Sequence, residues 1–281
     1  MLLWLRIIRP QTLFASLCPV LVALLTMSEP VHALVATVTA ICAVALQILS
    51  NLINDYYDYR RGTDKQGRVG FRRALAEGEV TEHQMLVACL ITLAVCVILG
   101  LFLVYSGGKV ILLIGASALL FAWLYTATPY SLSYLGIADI FVFLYYGVVA
   151  SSGTYYLQTG QFSLPVFYTG AVCGLISMCV LLINNLRDLE SDKAVGKHTL
   201  PVRFGHKAGL ALMLLVVLLM PVMAYQAYGW SWSLFILFPG LALFVAVTRA
   251  KGAVYNRCLL CAGLTNVVYT LLVVLTQSTA Y

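Results

Sequence analysis

Charge is what this sequence has least of. Lys, Arg, Asp and Glu together make up 10% of its 281 residues, against 62% hydrophobic ones. That excludes a water-soluble globule, whose surface needs about a quarter of its residues charged. Acidic residues are the scarcer sign, 11 against 17 basic ones. Histidine is rarer still, and the four (His32, His83, His198, His206) are scattered, which excludes a zinc site of ordinary spacing. Cys258 and Cys261 form a lone CxxC with no second pair and no histidine nearby, so the eight cysteines read as small apolar filler. No basic patch interleaved with aromatics marks a nucleic-acid surface. The first 25 residues lack a clear small-x-small cleavage site, so the opening apolar run reads as a span, not a cleaved leader.

What is present is apolar length. A membrane span needs about 20 apolar residues. Nine candidates run near 10–27, 31–53, 85–105, 109–126, 134–156, 165–185, 209–226, 231–248 and 256–277. The predicted fold is an all-α membrane protein, nine transmembrane helices in a bundle around a central cavity. Two links are long and polar, 54–84 and 186–208. With the N-terminus in the cytoplasm, every lysine and arginine but Lys109 falls on the cytoplasmic side. The positive-inside rule therefore fixes the orientation, and the clean split supports the span count. The expected location is a bacterial cytoplasmic (inner) membrane, with the chemistry on its cytoplasmic face.

The chemistry follows the acids. Nine of the 11 lie in the two long links, each group starting where an apolar helix ends. In the first, Asn51, Asn54, Asp55 and Asp58 follow i, i+3, i+4, i+7 spacing and share one helical face. Gly62 then ends the helix and lets Asp64 turn back. In the second, Asn184, Asp188 and Asp192 are spaced by four and also share a face. Glu190 points elsewhere and reads as a solvated acid. Facing carboxylates repel unless cations lie between them, and oxygen donors suit Mg²⁺ bridging to phosphate. Lys65, Arg68, Arg72 and Arg73 follow the first row; Lys193, Lys197 and Arg203 follow the second. Acids with bases beside them point to a metal-bridged diphosphate, not to a cation path.

The two units look like a degenerate repeat. The expected organisation is a single polytopic domain over 1–281, with halves at about 1–126 and 134–248 and a last helix at 256–277. Asp139, near the start of the fifth span, reads as a helix-start charge.

These residues resemble the UbiA superfamily of intramembrane prenyltransferases. Asn54, Asp55 and Asp58 match its NDxxD pattern, and Asp188 and Asp192 its DxxxD pattern. Within it the chain is most similar to the naphthoate (menaquinone) branch. The carrying segments are Arg9 to Leu13, Asn51 to Asp64, Tyr125 to Pro129, Leu135 to Phe143, Asn184 to Asp188, and Gly196 to Gly205. Phe71 stands where that branch often has proline, and Thr128 where it often has glycine.

The resemblance implies transfer of a polyprenyl group from its diphosphate to 1,4-dihydroxy-2-naphthoate, with loss of CO2 and diphosphate. It implies Mg²⁺ on Asp55, Asp58, Asp188 and Asp192, and diphosphate on Lys65, Arg68, Arg72, Lys197 and Arg203. Asn54 and Tyr125 would stabilise the allylic cation, and Asp58 or Asp64 would take a phenolic proton. Arg9, Asn51 and Asn184 would line the site. Two other readings stay open at this point: another aromatic acceptor such as 4-hydroxybenzoate, and a secondary transporter or cation channel.

Overall fold

The computed structural model describes residues 2–62, 73–127 and 131–279. Among these the chain is all helix and turn, with no strand. A short helix α1 (Leu2–Ile8) meets α2 (Pro10–Leu25) at Arg9. Pro10 suits the first turn of α2, where no backbone N–H is needed. Helix α3 (Ala33–Arg60) runs past the apolar stretch, so its last turns carry Asn54 to Asp58 beyond it. Arg61 follows, and Gly62 adopts φ 67°, the left-handed conformation that stops the helix as the sequence predicts.

Helix α4 (Glu82–Leu124) opens on a capping box. The Gln84 N–H donates to Thr81 Oγ1 at 3.2 Å, and the Thr81 N–H donates to Gln84 Oε1 at 2.9 Å. If straight, its 43 residues would reach about 65 Å, about twice the hydrocarbon thickness of a bilayer. Gly108, at φ 65° and ψ −150°, breaks it. The separate spans expected at 85–105 and 109–126 are thus the two arms of one element.

Short α5 (Leu132–Leu135) precedes α6 (Ala138–Phe143), a π-helical turn (Leu144–Val149) and α7 (Ala150–Thr159), which form one rod. Helix α8 (Leu164–Arg187) leads into α9 (Leu189–Ala194) and α10 (Leu200–Phe204). The chain closes with α11 (His206–Tyr228), a 3₁₀ turn (Trp232–Ile236) joined to α12 (Leu237–Thr248), and α13 (Val254–Ser278). Six helices among the described residues are long and apolar enough to cross a membrane; Pro10–Leu25 and Trp232–Thr248 are apolar but shorter. Ile98, Leu113 and Phe238 are 67%, 71% and 63% exposed, an arrangement that favours lipid over water. The protein is an integral membrane protein.

The centre of the bundle is α8. Its Val172, Ile176, Cys179, Leu182 and Ile183 are fully buried and join α2, α11 and α13 in one core. On another side α8 meets the 138–159 rod closely at small residues. A methyl group at Gly147 would lie 2.6 Å from the Gly170 carbonyl oxygen, and one at Gly170 would lie 1.8 Å from Ser151 Oγ. Gly147 with Ser151, and Gly170 with Gly174, are each four residues apart. Small residues at that spacing let backbones approach where lipid supplies no hydrophobic drive. All eight cysteines are free, and all but Cys261 are buried, as expected of apolar filler.

Candidate active site

The end of α3 supplies the first half of the site. Asp55 is buried and held by two guanidinium groups, those of Arg9 and Arg73. Arg9 reaches it from the corner between α1 and α2, where its backbone takes φ 56°, rare for a side chain with a Cβ. Arg73 also donates from Nη2 to Asn54 Oδ1 at 3.0 Å, and Asn54 Nδ2 donates to Thr126 Oγ1 at 3.0 Å. One turn back, Asn51 Nδ2 donates to the Ile8 carbonyl at 2.9 Å and to Thr12 Oγ1 at 3.0 Å. These bonds fix the α1–α2 corner against α3, so the shared face read from the i, i+3, i+4, i+7 spacing is in place.

The end of α8 supplies the second half. The helix breaks at Asp188, yet the Asp188 N–H still donates to the Asn184 carbonyl at 2.9 Å, and the Asp192 N–H to the Asp188 carbonyl at 2.7 Å. The four-residue register therefore continues across the joint. Arg187 grips Asp188 through Nε and Nη2, each at 2.7 Å, and its Nη1 donates to Asn256 Oδ1 of α13 at 2.9 Å. Lys197 lies 3.4 Å from Asp192. Glu190 is exposed, as expected.

Both halves open on one cavity of about 580 Å³, the size of an ordinary ligand pocket. Asn54, Asp58 and Arg73 line it from the first half; Asp188, Asp192 and Lys197 line it from the second. Arg9, Asn51, Asn184 and Tyr125 line it too. Its deeper wall is apolar and aromatic, with the Phe121 ring 4.5 Å from Phe141 and 4.9 Å from Tyr145.

At the rim, Tyr134 meets cations from both halves. Arg61 lies 4.9 Å and Lys197 5.6 Å from its ring centroid. Burial pushes the Tyr134 phenol above its ordinary pKa against the opposing pull of Lys197, so it stays a hydroxyl at neutral pH.

Two expected site residues are placed differently. Asp55 lies behind Arg9 and Arg73, outside the cavity lining. Arg203 is outside it as well, because its Nη2 donates to the Leu135 carbonyl at 2.8 Å and ties α10 to the 131–136 turn. Asp64, Lys65, Arg68 and Arg72 lie outside the described residues.

The sequence reading passed over Arg187, although it adjoins Asp188, and left Arg73 as one base in a run. The donor set fits a hard divalent ion: carboxylates and carboxamides face one cavity, and guanidinium and ammonium groups balance their charge. Among the described residues no three acidic, cysteine or histidine side chains cluster closely enough to hold an ion alone. Such a set suits an ion that keeps waters and takes phosphate oxygens.

The signature of the UbiA prenyltransferase family matches residues 16–274. The 1,4-dihydroxy-2-naphthoate octaprenyltransferase of Escherichia coli (strain K12) is 36% identical over 210 residues, covering 72% of this chain and 68% of that protein. The Haemophilus influenzae protein of the same name is 31% identical over 277 residues, covering 91% and 86%. In structure, a UbiA homolog from Archaeoglobus fulgidus bound to DMAPP and Mg²⁺ superposes with a TM-score of 0.68 over 96% of this chain and 98% of that one, at 16% identity. That likeness shows the fold.

Proposed function

Because the chain belongs to the UbiA prenyltransferase family, we propose that it transfers a polyprenyl group from polyprenyl diphosphate to 1,4-dihydroxy-2-naphthoate, releasing CO2 and diphosphate and giving demethylmenaquinol. The observation that carries the site assignment is the convergence of two remote helix ends, with Asp58, Asp188 and Asp192, on one cavity beside Arg73 and Lys197. A cation channel needs the acids without the bases; a diphosphate needs both.

Asp58, Asp188 and Asp192, with Asp55 behind them, would hold Mg²⁺. When bound, the ion neutralises the diphosphate and makes it a better leaving group. Arg73 and Lys197 place positive charge where the diphosphate charge develops as the allylic C–O bond breaks. Lys65, Arg68 and Arg72 are assigned to the same task. Asn54 and Tyr125 face the allylic cation, which the apolar wall keeps from water. The ring carbon bearing the carboxylate takes the prenyl group, and CO2 leaves from that carbon with its bonding pair left behind in the ring. No proton needs to be removed for that exchange, so Asp58 and Asp64 serve the metal and diphosphate, not as bases.

The two arms of α4 count as two crossings, which with the other apolar helices makes nine. The basic residues at the site's end favour a cytoplasmic N-terminus and a cytoplasmic-facing site in a bacterial inner membrane. The halves 1–126 and 134–248, with the last helix 256–277, form one catalytic domain.

The test is transfer by the purified protein in lipid, read by product mass. Prenylated naphthoate product is expected with Mg²⁺, none with a chelator, and recovery when Mg²⁺ returns. Transfer that ignores the chelator would remove the metal. Preference for 4-hydroxybenzoate would replace the acceptor.

A further inference from the structure

One wall of the cavity carries two polar atoms that the diphosphate chemistry does not use. Asp139 is 3% exposed, and its Oδ1 is buried with no hydrogen-bond partner among the described residues. Thr199 is 5% exposed, and its Oγ1 is buried in the same condition. Both residues line the main cavity.

Their proximity is built by the backbone. The His198 N–H donates to the Tyr134 carbonyl at 3.0 Å, and a methyl group at Gly136 would lie 2.1 Å from the His198 oxygen. The 196–199 stretch therefore lies directly on the 134–136 turn, which leads into α6 and Asp139. A buried oxygen without a partner costs stability, and native proteins keep few of them. Two on one cavity wall offer a ligand two polar anchors.

The surroundings indicate which ligand. Phe141, two residues beyond Asp139, lies in the aromatic cluster with Phe121 and Tyr145. An aromatic ring packs well there. A carboxylate accepts hydrogen bonds and repels other carboxylates. It therefore takes a ring hydroxyl and turns an acid group on the same ring towards Arg73 and Lys197. In 1,4-dihydroxy-2-naphthoate, the hydroxyl next to the carboxylate bonds to it internally. The 4-hydroxyl is the one free to donate.

We propose that Asp139 and Thr199 form the acceptor subsite: Asp139 accepts the hydrogen bond of the free ring hydroxyl, and Thr199 supplies a second polar contact. This rests on the naphthoate acceptor proposed above. Asp139 thereby sets which edge of the ring faces the allylic carbon, and the hydrogen bond it accepts feeds electron density into the ring under attack.

The test is equilibrium binding to the purified full chain in lipid, without donor. The probes are 1,4-dihydroxy-2-naphthoate and 1-hydroxy-2-naphthoate, which lacks the 4-hydroxyl. Wild type should prefer the diol by about tenfold, the size expected for a hydrogen bond to a charged group. Asp139→Leu, which has no acceptor, should lose that preference and bind the diol about tenfold more weakly, with Mg²⁺-dependent binding of farnesyl diphosphate unchanged. Thr199→Val should weaken the diol severalfold and leave the donor alone.

Equal affinity of wild type for the two naphthoates would overturn the proposal, and that measurement needs no variant to fold. So would an Asp139→Leu protein that keeps the preference, or one that loses donor and acceptor alike, which would make Asp139 structural. Wild type that binds the diol but makes no prenylated product would instead sink the acceptor assignment on which the subsite rests.

Discussion

Arg187 holds Asp188, its own neighbour in the chain, by two hydrogen bonds of 2.7 Å, and uses its remaining nitrogen to reach Asn256 of α13 at 2.9 Å. A carboxylate lining the cavity is thus aimed by a guanidinium that also fastens two helices. The side chains are 4% and 8% exposed, so removing one strands the other in a dry site. Arg187→Ala should cost about 3 kcal/mol, the usual effect of breaking a buried pair. Arg187→Lys keeps the charge but loses the fork, and should raise the donor KM about tenfold with less loss of stability. Thermal unfolding in detergent and initial rates against donor concentration separate the two effects.

Asp58→Asn and Asp192→Asn should each lower prenyl transfer about 100-fold or more, the scale of losing one charge-stabilising group. Helical content by circular dichroism should stay at the wild-type level. Full activity in either variant removes that residue from the metal site.

The seam between α8 and the 138–159 rod has no room for a methyl group at its closest points. Gly174 makes this plain, because an added Cβ would lie 2.4 Å from the Phe143 carbonyl oxygen, a backbone atom that cannot swing away. Gly174→Ala should destabilise by about 1–3 kcal/mol. Gly153→Ala, whose Cβ would make an ordinary 3.5 Å contact with Ile114, should change stability little. Comparing the two unfolding midpoints checks the seam.

Tyr134→Phe keeps the ring under Arg61 and Lys197 and should leave donor affinity within about twofold. Tyr134→Leu removes the ring and should weaken donor binding severalfold. Since burial raises the phenol's pKa, ionisation of Tyr134 should add no pH dependence near neutrality. A rate profile for Tyr134→Phe that departs from wild type around pH 7 would contradict this.

Much of this was legible in the sequence because it obeys a period or a composition rule. The face shared by Asn51, Asn54, Asp55 and Asp58, the stop at Gly62 and the solvated Glu190 all follow from helical geometry. Apolar length located the helices but not their joints. The joint in α4 is the exception, because Ser106, Gly107, Gly108 and Lys109 interrupt the apolar run where the expected spans 85–105 and 109–126 divide, and Gly108 breaks the helix there. The π-helical turn and the Gly147, Ser151, Gly170, Gly174 seam depend on which helix lies opposite, and no local pattern records that. Asp139 read as a helix-start charge because its burial comes from a second stretch, 196–199, folded against the 134–136 turn. Asp55 read as one of four like ligands; only the fold brings Arg9 to it from the other end of a 46-residue gap.

The α1–α2 corner has a practical bearing on handling the protein. Arg9 at that corner holds Asp55, while Arg6, within α1, pairs with Glu79 on the stretch that carries Arg73. A purification tag joined ahead of α1 would sit within one short helix of both ion pairs. A tag placed beyond α13 hangs from the opposite end of the bundle, since Asn256 near the start of that helix is the end that meets Arg187.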